Sequence, residues 1–217
     1  ASKAVGESVE KPLLYYENNI ASLIYLLQEL QKRKNTAFIF SSSCTVYGQA
    51  DKLPVTEDAP FKQAESPYGN TKQVNEEIIR DTCAIAPNIK AISLRYFNPI
   101  GAHQSALIGE LPNGVPQNLI PYITQTAIGL RESLSVYGDN YPTPDGACIR
   151  DYIHVVDLAE AHLAALEYIL QGKIQDNYEV FNVGTGKGSS VLEVIKTFEK
   201  VTGQALPYKI VGRRAGD

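Results

Sequence analysis

Apolar residues along this chain follow two spacings, one typical of helices and one of short buried strands. Four leucines between residues 23 and 30 fall on one helical face, and a proline at residue 12 suits a first turn. This pattern predicts a helix from residue 12 to about residue 33. Residues 36–41 (TAFIFS) are a short apolar run, typical of a strand buried on both faces of a parallel sheet.

A second helix and strand follow a turn-rich stretch. Ser66 provides an N-cap and Pro67 a first-turn proline, while Pro87 ends the helix after about Ala86. Residues 89–97 then form the next apolar run. A strand, a helix and a strand in this order predict a parallel crossover unit.

The composition of the chain changes after residue 98, where prolines and glycines become more frequent. The elements predicted beyond that point are helices at about 119–131, 156–170 and 191–202, and strands at 134–137 and 179–183. The change predicts a first domain of residues 1–98 and a second of residues 99–217. The predicted fold class is α/β: a partial Rossmann-like parallel sheet with helices, plus a smaller mixed α/β substrate-binding domain.

Composition narrows the classes of function. A net charge of -4 over 217 residues gives no general attraction to nucleic acid or anionic membranes, so neither is expected as a partner. No apolar run reaches the roughly 18 to 20 residues that span a bilayer. Cys44, Cys83 and Cys148 have neither metal spacing nor a disulfide pattern, which favours a reducing cytoplasmic location and predicts no metal. The first and last residues (ASK and RRAGD) predict a chain truncated at both ends.

Tyr68 and Lys72 are the central chemical signal. They stand four positions apart in the second predicted helix and therefore share one of its faces. A phenol has a pKa of about 10, and a fixed cation nearby favours phenolate, the form that can act as a base. This spacing also arises by chance on solvated helix faces, so it does not identify a site by itself.

Three serines, residues 41–43, follow directly after the first apolar strand. Hydroxyls at the carboxyl end of a parallel strand lie where open α/β sheets bind ligands, although a hydroxyl-rich turn has the same composition. Because strand and helix are neighbours along the chain, Ser43 is predicted to lie at Tyr68. There it can hydrogen-bond a substrate hydroxyl and relay its proton to the phenolate.

These signals belong to an ordered set of motifs that spans the chain. The set is KAVGESVEKP (3–12), SSSxTVYG (41–48), SPYGxxK (66–72), LRYFNPxGAH (94–103), PxNLxPY (116–122), RDYIHVxDLA (150–159) and RRxGD (213–217). It resembles the extended short-chain dehydrogenase/reductase family, and within it the 4-epimerases of UDP-glucose and UDP-galactose. The resemblance implies an NAD cofactor, a UDP-hexose substrate and a homodimer. It also assigns residues 1–98 to the NAD-binding domain and 99–217 to the nucleotide-sugar domain.

The resemblance also implies roles for single residues. Tyr68 matches the catalytic base, Lys72 its electrostatic partner and ribose ligand, and Ser43 the contact to the sugar hydroxyl. The further matches to cofactor contacts are Lys3, Asn18 and Phe97. The matches to substrate contacts are Asn98, Asn118, Leu119, Arg150, Arg214 and Asp217, of which the two arginines would clamp the diphosphate.

Two departures from the family pattern and two alternative functions accompany this interpretation. Cys44 stands where alanine is more familiar, and the family's Gly-rich pyrophosphate loop is not in the sequence. The run GTGKGS at 184–189 approximates that loop, but too few residues follow it for a dinucleotide site, so it is predicted to be a tight turn. A nucleotide-sugar 4,6-dehydratase or decarboxylase and a non-catalytic nucleotide-binding protein remain alternatives.

Overall fold

The structure is a computed structural model that describes residues 1–213. In chain order its helices are α1 (Val5–Glu10), α2 (Pro12–Tyr16), α3 (Ser22–Leu30), α4 (Pro67–Ile85), α5 (Leu119–Ala127), α6 (Val155–Leu170) and α7 (Val191–Thr202). The strands are β1 (Thr36–Ser43), β2 (Ile89–Tyr96), β3 (Asn98–Ile100), β4 (Leu134–Tyr137), β5 (Ile149–His154), β6 (Tyr178–Val183), β7 (Gly188–Ser190) and β8 (Tyr208–Val211).

The backbone forms two compact units, which are described separately. The first contains residues 1–97 and 157–183, and the second contains residues 98–156 together with the described residues from 184 onward. The sequence-based division ran once through the chain at residue 98. The structure differs by returning residues 157–183 to the first unit, because strand β6 pairs with strand β2 there.

The first unit is a parallel sheet with helices. Its strand order is β1-β2-β6, and both pairings are parallel, as the predicted crossover requires. One apolar cluster, including Leu27, Ile79 and Ile89, joins α3 and α4 to the sheet. A second cluster, including Ile92 and Ile169, joins α6 to it. Both sheet faces are therefore covered, which confirms the α/β fold class.

The predicted first helix is one continuous helical segment from Pro12 to Leu30. A π-helical turn at Glu17–Ala21 joins α2 to α3. Helix α1, which precedes this segment, was not predicted because its six residues carry no clear apolar period. Helix α4 begins as predicted: the Ser66 hydroxyl accepts a hydrogen bond from the Gly69 amide at 3.1 Å.

The second unit mixes parallel and antiparallel pairing. Strands β3 and β5 pair in parallel, β5 and β7 antiparallel, and β4 and β8 in parallel. Its apolar core contains Ile123, Leu134, Val136, Ile195 and Leu206, which lie on or beside α5, β4 and α7. Strands β3, β5, β7 and β8 were not predicted. They are short and partly or, in β8, fully exposed, so they lack the continuous apolar runs of buried strands.

No helix within residues 1–213 combines the length and the apolar character that crossing a membrane requires.

Candidate active site

Strand β1 ends in the three serines, whose hydroxyls contact different partners. The Ser42 hydroxyl donates a hydrogen bond to the Glu76 carboxylate on α4. The Ser41 hydroxyl lies 3.2 Å from Nε2 of His162 on α6. Successive side chains of a strand point to opposite faces, which accounts for this difference. Ser43 is buried at the end of the strand and accepts a hydrogen bond from the Thr45 amide at 3.3 Å.

Tyr68 and Lys72 lie on successive turns at the start of α4. The Ser43 hydroxyl lies close enough to the Tyr68 phenol to lower the pKa of that phenol. The Lys72 ammonium lies 5.7 Å from the centre of the Tyr68 ring and donates a hydrogen bond to the Ser41 carbonyl at 2.8 Å. Lys72 is only 6% exposed. The structure therefore brings Ser43, Tyr68 and Lys72 into one cluster at the end of the parallel sheet.

Burial dominates the protonation of this cluster. Removal from water raises the pKa of Tyr68 to about 12. Nearby Tyr96, Cys44 and Tyr15 raise it as well, and the Ser43 hydroxyl opposes the rise. The sequence predicted that Lys72 would lower the phenol's pKa. In the structure the ammonium donates a hydrogen bond to the Ser41 carbonyl instead, and burial has the largest effect on the pKa of the phenol.

Lys72 is also perturbed. Burial lowers the pKa of its ammonium to about 8, while the negative charge of Glu76, one helical turn further along, raises it. At neutral pH the phenol is therefore neutral and the ammonium is largely charged. Proton removal from Tyr68 requires further positive charge at the phenol.

Four residues around the cluster were not predicted to belong to it. They are Tyr15, Glu76, Arg95 and Tyr96. Glu76 and Arg95 form a buried ion pair, with 2.6 Å between Nη2 and Oε2, and the Tyr178 hydroxyl donates to the same carboxylate at 3.2 Å. A signal for Glu76 exists in the sequence: it is an acid four residues after Lys72 on the helix face that carries Ile79 and Cys83.

The other predicted cofactor contacts in the first unit lie outside this hydrogen-bonded cluster. The exposed Asn18 donates a hydrogen bond to the Ser2 hydroxyl at 2.9 Å, and Lys3 is exposed beside α1. Phe97 directly follows β2, and its amide donates to the Val183 carbonyl at 3.3 Å. Their roles toward a cofactor stay predictions.

In the second unit the predicted substrate contacts lie on separate elements. Asn98 begins β3, and Asn118 precedes α5, whose first residue is Leu119. The Asn118 amide group donates to the Glu110 carboxylate at 2.8 Å. Arg150 lies on β5, where its guanidinium lowers the pKa of Tyr152, a phenol whose pKa burial raises to about 12. Arg214 and Asp217 lie outside the described residues.

Residues 184–187 of the glycine-rich run form a turn, as predicted, whereas residues 188 and 189 begin strand β7. Asp151 holds the turn: one carboxylate oxygen accepts hydrogen bonds from the Thr185 amide at 2.9 Å and hydroxyl at 2.7 Å, and the other accepts from the Gly186 amide at 2.8 Å. A carboxylate thus occupies the amide groups that a phosphate would need in a dinucleotide loop.

Comparison with known proteins places these features in context. Residues 1–184 match the model of the NAD dependent epimerase/dehydratase family. The chain is 53% identical to UDP-glucose 4-epimerase 1 from Oryza sativa subsp. japonica, over 99% of this chain and 60% of that protein. It is 51% identical to UDP-glucose 4-epimerase from Drosophila melanogaster, over 100% of this chain and 62% of that protein. The chain therefore spans about 60% of the length of these curated relatives.

Solved structures give the same likeness. The crystal structure of UDP-glucose 4-epimerase from Bifidobacterium longum in complex with NAD+ and UDP superimposes with a TM-score of 0.94 at 49% identity. That match covers 100% of this chain and 64% of the other. The enzyme from Stenotrophomonas maltophila, with bound NAD and formylated UDP-arabinopyranose, gives a TM-score of 0.93 at 49% identity, over 100% and 63% of the two chains.

Proposed function

Because this chain belongs to the NAD dependent epimerase/dehydratase family, we propose that the whole protein is a UDP-glucose 4-epimerase. It interconverts UDP-galactose and UDP-glucose through a 4-keto intermediate, with NAD as its cofactor, in galactose metabolism. The observation that carries this proposal is the cluster of Ser43, Tyr68 and Lys72 at the end of a parallel sheet. Such an edge is where open α/β sheets bind their ligands.

The donors in the first unit fit a dinucleotide. Among the described residues, the buried Lys72 ammonium donates to one acceptor, the Ser41 carbonyl, although it carries three protons. A ribose hydroxyl is a suitable acceptor for a second proton. Lys72 would therefore hold the nicotinamide ribose, with Lys3, Asn18 and Phe97 as further contacts. In this proposal the first unit, residues 1–97 and 157–183, is part of the NAD-binding domain, and the second unit binds the nucleotide sugar.

Proton transfer is the task of the cluster. The chemistry that NAD supplies when bound is reversible acceptance of hydride from C4 of the hexose, together with a positive charge near the phenol. Tyr68, deprotonated under that charge, removes the proton of the sugar's 4-hydroxyl, and Ser43 orients that hydroxyl and relays the proton. Lys72 stabilises the phenolate. Asn98, Asn118, Leu119, Arg150, Arg214 and Asp217 retain the UDP while the 4-keto sugar turns its other face.

Assay of the purified full-length protein with UDP-galactose tests this function. We expect UDP-glucose as the product, formed without net oxidation of the sugar. A 4-keto-6-deoxy product would indicate the dehydratase instead, which is disfavoured because residues 43–45 (SCT) lack the acidic pair that eliminates water. Tight UDP-sugar binding without turnover would indicate a non-catalytic nucleotide-binding protein.

We also propose that the protein is a cytoplasmic homodimer whose interface includes the outer face of α2 and α3. This face exposes large apolar side chains, among them Leu13 at 80% and Tyr25 at 67%. Exposed apolar patches of this kind mark interaction surfaces. The three cysteines carry no disulfide, which supports a reducing compartment. Sedimentation of the Tyr25→Asp variant tests the interface: we expect a monomer, and a retained dimer would exclude this face.

A further inference from the structure

Three successive turns of α4 hold the three serines of β1. The Tyr68 phenol lies beside the Ser43 hydroxyl, Lys72 donates to the Ser41 carbonyl at 2.8 Å, and Glu76 accepts from the Ser42 hydroxyl. Glu76 is one turn deeper than Lys72 and only 1% exposed. Helix α4 therefore contacts strand β1 through the two proposed catalytic side chains and through a third side chain, the buried Glu76 carboxylate.

Arg95 completes the arrangement from strand β2. Its Nη2 and Nε donate to the Glu76 carboxylate at 2.6 and 3.0 Å, and its Nη1 donates to the Tyr47 hydroxyl at 2.9 Å. The guanidinium lies 5.0 Å from the centres of both the Tyr47 and the Phe61 rings. Ser43 thus lies between two anchored neighbours: Ser42, bound to Glu76, and the 3₁₀ turn Cys44–Tyr47, bound to Arg95.

We propose that Glu76 is a positioning residue for the reaction. Its hydrogen bond to Ser42 and its ion pair with Arg95 hold Ser43 at the phenol, and its charge keeps Lys72 protonated there. This inference rests on the proposed function, because it concerns the same proton transfer.

The charged and titratable groups around Lys72 determine the sign of the change expected at its ammonium. On α4 they are Tyr68 and Glu76, on β2 Tyr96 and Arg95, on α6 His162, and around the phenol Cys44 and Tyr15. Arg95 carries the opposite charge and is ion-paired with Glu76. Removing Glu76 therefore makes the surroundings of Lys72 more positive, whereas removing Arg95 makes them more negative. The two changes have opposite effects on the charge of Lys72.

The test is the pH profile of kcat for the full-length holoenzyme with UDP-galactose. Activity that needs the Lys72 ammonium is lost as pH rises through its pKa. We expect Glu76→Gln to move this alkaline limb down by about one pH unit and Arg95→Gln to move it up by about as much. KM for UDP-galactose should change less than about threefold, because the proposed UDP contacts lie elsewhere.

Matched controls are available on the exposed face of α4. Glu77→Gln and Arg80→Gln remove the same charges from solvent-exposed positions and should leave the limb in place. A role limited to stability would lower the active fraction and the Tm of both buried variants without opposite shifts. Limbs that stay in place, or that move in the same direction, would overturn the proposal.

Two outcomes separate this inference from the proposed function. If the wild type and Glu77→Gln epimerise UDP-galactose but the two limbs do not diverge, only the role of Glu76 fails. If the wild type has no epimerase activity, the proposed function fails and this role fails with it. If Glu76→Gln does not fold, two other single variants, Arg95→Gln and Glu76→Asp, provide the test. An upward shift of the alkaline limb in Arg95→Gln and no shift in Glu76→Asp would support the proposal. Any other pair of results would contradict it.

Discussion

The two compact units differ in how deeply they bury the polar side chains proposed to be functional. In the first, Lys72, Glu76 and Arg95 are buried and each is bound by neighbours, so their geometry is fixed by the fold. In the second, the proposed substrate contact Asn118 is exposed and Arg150 is half-buried. Buried charges need partners and hydrogen bonds, whereas surface charges are solvated.

This difference separates two tasks. Chemistry on a proton needs groups held within hydrogen-bond range, and the first unit provides them before any ligand arrives. A hexose that must rotate in the site can be retained by binding the nucleotide alone, and exposed side chains can form those contacts when the substrate binds. We therefore expect substitutions in the first unit to change catalysis or folding, and those in the second to change affinity.

The largest expected effect is on turnover. Tyr68→Phe removes the proposed base, so kcat of the full-length enzyme should fall by about a thousandfold, while Kd for UDP stays within about twofold. Steady-state assay and calorimetric titration measure the two quantities. Tyr208→Phe, at an exposed position in β8, is the control. Unchanged turnover in the Tyr68 variant would refute its role.

The next largest effect concerns stability. Arg95→Met leaves Glu76 as a buried charge without its partner, so the free energy of unfolding should fall by about 3 kcal/mol. Arg80→Met, on the exposed face of α4, should change it by less than about 0.5 kcal/mol. Urea denaturation of both full-length variants measures the difference. Equal losses would show that burial of the ion pair does not distinguish the two sites.

A smaller effect appears in the pH dependence of stability. Burial lowers the pKa of Lys72 to about 8, so above that pH the unfolded chain holds a proton that the folded chain has released. Stability contributed by this group therefore rises with pH, by about 2 kcal/mol between about pH 8 and pH 10. Lys72→Met should lack this rise in urea denaturation at the two pH values. An identical slope in both proteins would contradict the burial of the ammonium.

The smallest effect is expected in the second unit. Arg150→Met should weaken UDP binding about tenfold, because one charge-assisted contact to a phosphate is lost, and should leave unfolding within about 0.5 kcal/mol. Arg33→Met serves as the control for lost positive charge. A large loss of stability in the Arg150 variant would erase the contrast between the two units.

Local signals in the sequence predicted part of this architecture. The Ser66 cap and Pro67 fixed the start of α4, and the serine-rich end of β1 indicated the site that contains Ser43. Helix α5 ends at Ala127 rather than near residue 131, because Gly129 takes a φ of 79°. Such a backbone turn has only a weak sequence signal.

Long-range contacts explain what the sequence could not predict. The Glu76–Arg95 pair joins a helix to a strand 19 residues later, and no spacing rule connects them. The raised pKa of Tyr68 depends on burial by several elements, whereas the Tyr68–Lys72 spacing indicates only that both share a helix face. For the same reason, the assignment of residues 157–183 to the first unit follows from the pairing of β6 and not from its composition.

That pairing has a consequence for biosynthesis. A hydrogen bond joins the Tyr178 and Ser93 hydroxyls, which are 85 positions apart in the chain, and β6 is the last strand of its sheet to leave the ribosome. At a synthesis rate of about 5–20 residues per second, the edge of β2 stays unpaired for several seconds until β6 has been synthesised. During that interval the nascent polypeptide presents an open strand edge, the kind of surface that molecular chaperones protect from self-association.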